Sequence, residues 1–133
     1  MRTIAILTSL FLVCLGSLAR AETTREAALR VILSVAKSDT IEGIANLGTE
    51  YRDKRCTDKL EKARKKVCID SYNEMIRRRM KELTDLGQAT EAINSNRPDR
   101  AKAITEALDR YNEANAETTR LIDELNNTFR VPK

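Results

Sequence analysis

The chain has 133 residues, 41% hydrophobic and 33% charged, with 24 basic and 20 acidic side chains, enough for one modest core and no second domain. Histidine is absent, which removes the commonest general base and the usual imidazole ligand for zinc, copper or haem. Only four glycines and two prolines occur, and the dominance of Ala, Glu, Lys, Leu and Arg is the composition of a helical protein.

Residues 1–21 read as a cleaved signal peptide. Arg2 supplies the positive start, Ile4 to Leu18 is an apolar run, and Ala19-Arg20-Ala21 places small residues at the −3 and −1 positions of a cut before Glu22. Val13 before Cys14 does not suit a lipoprotein site, and the run is shorter than the roughly 20 apolar residues of a spanning helix. Residues 22–133 then form a single helical-bundle domain in the periplasm or outside the cell.

That domain opens with a capping box, Thr23 with Glu26. Ala27 to Ala36 is apolar except for Arg30 and Ser34, a pattern expected to be buried on most sides. Ser38-Asp39-Thr40 reads as a break with a second capping box, Asp39 with Glu42, so that the first helix is split in two or kinked. Ile41, Ile44, Gly48 and Tyr51 continue one stripe to a helix end near Arg52.

Cys56 and Cys68 form a disulfide in an oxidising compartment. On one helix, residues twelve apart are separated by about 18 Å, whereas a disulfide needs Cα atoms within roughly 7 Å. Either the loop around Cys56-Thr57-Asp58 folds back on the next helix, or each cysteine bonds a second chain. The pair is no metal site.

The next helix is expected to start between Thr57 and Ala63 and to run to about Ile93. Its inward face reads as Val67, Cys68, Tyr72, Met75, Ile76, Met80, Leu83 and Leu86. Gly87 weakens this helix without ending it. Asn94 to Pro98 is a turn, with Asn96 as cap for a last helix over Pro98 to Phe129. Ala101, Ile104, Leu108, Tyr111, Asn115, Thr118, Ile122, Leu125 and Phe129 then make a heptad seam. Its central Asn115 and Thr118 either face solvent or set register as a buried polar layer. Val131 to Lys133 is a tail. The fold class is all-α: a small antiparallel bundle of three long helices with one disulfide.

Charge is uneven. Between Arg52 and Lys81 there are twelve basic and five acidic residues. Arg64, Lys65 and Lys66 form one knot; Arg77, Arg78, Arg79 and Lys81 form another. As a candidate partner-binding face they would steer an anionic partner; the plainer reading is a solvated face paired with carboxylates such as Glu106, Asp109, Glu113 and Glu117. The face lacks the interleaved aromatics of a nucleic-acid surface. Without histidine, a phosphate loop, a nucleophile elbow or a spaced calcium loop, no catalytic or cofactor role is expected. The sequence points to a non-catalytic exported protein that binds an envelope or secreted protein as inhibitor, immunity factor, adaptor or secretion accessory. The alternative is peripheral attachment of the basic face to an anionic membrane or lipopolysaccharide. Homo-oligomerisation stays open.

Overall fold

The computed structural model describes the backbone of residues 2–131 and the side chains of residues 24–131. The side chains of the expected signal peptide, the expected cap at Thr23 and the last two residues of the tail lie outside that range. Among the described residues there are four α-helices: α1 (Arg2–Asn46), α2 (Asp53–Arg55), α3 (Lys62–Asn94) and α4 (Arg100–Thr128), with a π-helical turn over Leu47–Arg52 joining α1 to α2. The chain divides into two compact units, Met1–Ile32 and Leu33–Lys133. Among the described residues there is no strand.

In the first unit, Val31 and Ile32 are 63% and 55% exposed. In the second, Val35 is 55% exposed and Leu33 is buried. The expectation that Ala27–Ala36 is buried on most sides is therefore overturned. Burial follows a narrow stripe at seven-residue steps, Leu33 and Thr40 on α1 and Leu47 at the start of the π-helical turn, the spacing at which a helix meets its neighbour along one line. Nor does α1 break at Ser38-Asp39-Thr40. Nothing in that trio forces a break: it contains neither glycine nor proline. Thr40 donates its hydroxyl proton to the Ala36 carbonyl at 2.7 Å, a side-chain bond within the continuous helix.

The bend required by the cysteines lies beyond the π-helical turn. Cys56–Cys68 is an intrachain disulfide with a Cα separation of 5.5 Å, and the interchain alternative falls away. The bridge is buried with Leu47, Tyr72, Met75 and Phe129, and Tyr51, Leu60, Ile69, Leu121 and Leu125 pack around this cluster. Tyr72 stacks on Tyr51 and tilts against Phe129, each with ring centroids 6.4 Å apart.

Helices α3 and α4 form the antiparallel hairpin. Tyr72 near the start of α3 donates to Asn126 near the end of α4 at 2.9 Å, while Arg110 reaches back to Gln88. The inward face of α3 differs from the sequence reading. Val67 and Met80 are 58% and 56% exposed. The buried line is Cys68, Tyr72, Met75, Arg79, Glu82, Leu86, Ala89 and Ile93, with steps of four and three throughout. Val67 and Met80 each stand one residue to the side of it. On α4, Ile104, Ala107 and Thr118 are buried, Leu108, Tyr111, Asn115, Ile122 and Leu125 are half-buried, and Ala101 is exposed.

The turn between them also shifts. Asp99, not Asn96, occupies the N-cap position, and its side chain does not cap. Arg97 holds both carboxylate oxygens, at 2.9 and 2.6 Å, and that hydrogen bonding keeps the Asp99 carboxyl below its ordinary range.

Candidate functional site

The seven basic residues singled out in the sequence do not form one exposed face. Arg79 points between helices with its side chain 12% exposed. It donates to Glu82 at 2.6 Å, to Asn115 and to Thr119 at 3.0 Å. A Cβ added at Gly43 of α1 would lie 4.0 Å from Nε of Arg79, so the guanidinium is bounded by α1 as well. Arg79 thus links buried Glu82 of its own helix to Asn115 and Thr119 of α4 as a polar layer of the bundle.

The other six lie at the surface, most beside a carboxylate. Lys65 pairs with Asp58 at 2.5 Å and Lys66 with Asp70 at 2.6 Å. Arg77 pairs with Glu74 at 2.8 Å, and Arg78 reaches Glu74 at 3.5 Å and Glu117 at 3.4 Å. Hydrogen bonding from Lys65 lowers the Asp58 pKa, and the same interaction from Asp70 raises that of Lys66. Arg64 lies over the Phe129 ring, 5.9 Å from its centroid. Among the described residues Lys81 makes no ion pair. Exposed pairs of this kind contribute about 0–1 kcal/mol each, but they leave the surface mixed in sign.

Arg55 carries a role that composition did not reveal. Its Nη1 donates to the carbonyls of Asn126 and Phe129, at 3.1 and 3.0 Å. Those carbonyls lie at the end of α4, where a cation suits the negative end of the helix dipole. The guanidinium also sits 5.5 Å from the Tyr51 ring centroid. A basic residue beside Cys56 reads in sequence as one more surface charge; its partners lie 71 and 74 residues away.

Two of the clefts among the described residues lie along the hairpin. The larger, about 520 Å³, lies between the first half of α3 and the last half of α4. Val67, Met75, Leu121 and Leu125 give it apolar lining, and Asp70, Ser71, Glu74, Glu124 and Thr128 complete it. A smaller cleft of about 350 Å³ at the other end contains Arg97 and Arg110. Asp99 occupies the first, and Gln88 with Asp85 the second, so neither arginine is free for an anion. Among the described residues no three potential ligands gather for a metal, and no helix is long and apolar enough to cross a membrane.

Fold and surface together define a small all-α bundle built on an antiparallel hairpin and closed by one buried disulfide. No protein-family model, curated protein or solved structure matches the chain.

Proposed function

We propose that this chain is an exported, non-catalytic interaction protein that binds another protein of the envelope or the exterior. It would act as an inhibitor, immunity factor, adaptor or secretion accessory. The observation that carries this reading is the exposure of large aliphatic side chains on α1: Val31 at 63%, Ile32 at 55% and Val35 at 55%. Exposed apolar patches on a protein mark interaction sites. The disulfide is consistent with an oxidising compartment. An enzyme has less support, because the chain offers no histidine to act as base or ligand.

Attachment to an anionic membrane or lipopolysaccharide through the basic segment is also less supported. Lys65, Lys66, Arg77 and Arg78 each have a carboxylate partner, and Arg79 is turned inward.

The test is capture from the envelope of the native host with wild type, with Val31→Asp/Val35→Asp, and with Arg77→Glu/Arg78→Glu. Arg79 is left intact because reversing it would damage the bundle. Loss of a defined partner with the first variant and retention with the second supports the reading. Absence of any partner, combined with salt-sensitive sedimentation of wild type on anionic vesicles, replaces it with the membrane alternative. Export itself is checked by mass spectrometry of the purified protein. An N-terminus at Glu22 with no free thiol is expected, and an intact Met1 on a reduced chain overturns it.

A further inference from the structure

Apolar matching alone does not fix how α3 and α4 pair. Tyr72, Arg79, Leu86 and Ile93 recur every seven residues along the buried line of α3, and Leu108, Asn115, Ile122 and Phe129 recur in the same way on α4. On each row one residue is charged or amide-bearing and the other three are aromatic or aliphatic. Rows with a seven-residue repeat match again after a shift of one repeat, about 10 Å at 1.5 Å per residue. The two exceptions touch each other, Arg79 donating to Asn115. We propose that this contact sets the pairing of α3 with α4 and keeps the two helices from pairing with those of a second copy in shifted registers.

Three contacts define the observed register. Tyr72 meets Asn126, Arg79 meets Thr119 and Arg110 meets Gln88, so each advance along α3 is matched by an equal retreat along α4. In this register Arg79 donates to Asn115 and Thr119 while holding Glu82 at 2.6 Å. Shifting α4 by one repeat brings Leu108 or Ile122 to the place of Asn115. The guanidinium then keeps Glu82, on its own helix, but faces an aliphatic side chain where it had an amide acceptor. A buried donor without its acceptor is penalised, whereas most apolar rungs still meet apolar rungs. Arg79 and Asn115 thus separate registers that the apolar residues treat alike, and fixing register is the best-attested use of a polar group in a helical seam.

Within one chain the short turn over residues 95–99 also restricts a shift. Between two chains no turn does, so a shifted pairing is open to a dimer. This role needs no envelope partner.

Light scattering after size exclusion and amide NMR spectra of the purified protein give the test. Wild type should be a monomer with one set of resonances. Arg79→Leu/Glu82→Leu/Asn115→Leu removes the polar layer. It should stay helical by circular dichroism, yet show dimers of twice the mass and more than one set of resonances. Leu108→Asn/Asn115→Leu moves the acceptor by one repeat, with Asn112 in the place of Thr119, and should also dimerise. Thr118→Val makes the seam more apolar but leaves Arg79 its partners, so it should remain a monomer with one set.

A triple variant that stays a monomer with one set of resonances would overturn this role. If the triple variant unfolds, the double variant decides, and a monomeric double variant overturns it. Dimerisation of Thr118→Val as readily as either would also sink the idea, by showing that added apolarity rather than the loss of the Arg79–Asn115 contact drives association.

Discussion

Nη1 of Arg79 donates to Oε2 of Glu82 across 2.6 Å, with the two side chains 12% and 1% exposed. Both stand on the buried line of α3, where leucine or alanine would ordinarily sit. Asn115 and Thr119 of α4 accept from the same guanidinium. The second carboxylate oxygen of Glu82 is buried without a hydrogen-bond partner among the described residues. A buried charge pair with one orphaned oxygen adds little net stability, yet removing one member strands the other.

Arg79→Met alone should therefore destabilise the bundle by about 3–5 kcal/mol, by leaving Glu82 charged and unpaired in the interior. Arg79→Met/Glu82→Leu should recover most of that loss, since apolar replacements of similar volume remove the desolvation cost. Urea denaturation of wild type, both single variants and the double variant completes the cycle. A double variant as unstable as the sum of its singles would mean the two side chains do not act as a pair.

This layer also shows how far the sequence could be read. The α4 seam was legible because apolar residues recur at threes and fours from Ile104 to Phe129, and the polar break at Asn115 and Thr118 invited the register reading. On α3 the same rule held only in part. Cys68, Tyr72, Met75 and Leu86 were placed rightly on the buried line, but Val67, Met80 and Leu83 are more hydrophobic than Arg79 and Glu82, so apolarity alone put exposed Val67 and Met80 on the face and left Arg79 and Glu82 off it. Mutual neutralisation of Arg79 and Glu82 with Asn115 from another helix is invisible in a local pattern. The loop at Cys56 was readable by arithmetic, because helix rise and disulfide reach are incompatible at a spacing of twelve. The cleft was not, since Met75 and Leu121 come together only through the hairpin.

Ile104 and Leu108 separate the structural seam from the sequence seam. Ile104 is 6% exposed, whereas Leu108 is half-buried. Ile104→Ala should cost about 2–4 kcal/mol through lost transfer energy and a residual cavity. Leu108→Ala should cost about 1–2 kcal/mol, because part of its surface already meets water. Equal losses in thermal or urea unfolding would show that Leu108 is as deep in the interface as Ile104.

The Cys56–Cys68 bridge closes a short loop beside the aromatic cluster of Tyr51, Tyr72 and Phe129. Chain-entropy bookkeeping for a loop of this length gives about 2.5–3 kcal/mol. Cys56→Ala/Cys68→Ala should lower stability by about that amount while keeping α3 and α4 helical by circular dichroism. On a non-reducing gel the wild type should run as a monomer without reducible dimer. A dimer band that vanishes with reductant would contradict the intrachain link.

Tyr72 is fully buried, with its hydroxyl donating to Oδ1 of Asn126 at 2.9 Å. Burial pushes its phenol above the ordinary value, against the opposing charge of Arg55. A raised pKa means the folded state holds the proton more tightly than the unfolded chain. The associated stability is therefore complete below the unfolded value near 10 and is lost as pH climbs toward the folded one. Tyr72→Phe removes both the hydrogen bond and the titration. Near neutral pH it should be less stable than wild type by about 0.5–1.5 kcal/mol. Above pH of about 10 the wild type should lose stability faster, so the gap should narrow. Urea midpoints measured for both proteins from pH of about 8 to 11 follow that gap. A gap that stays constant or widens on the alkaline side would show that the Tyr72 proton is held no more tightly in the bundle than in the unfolded chain.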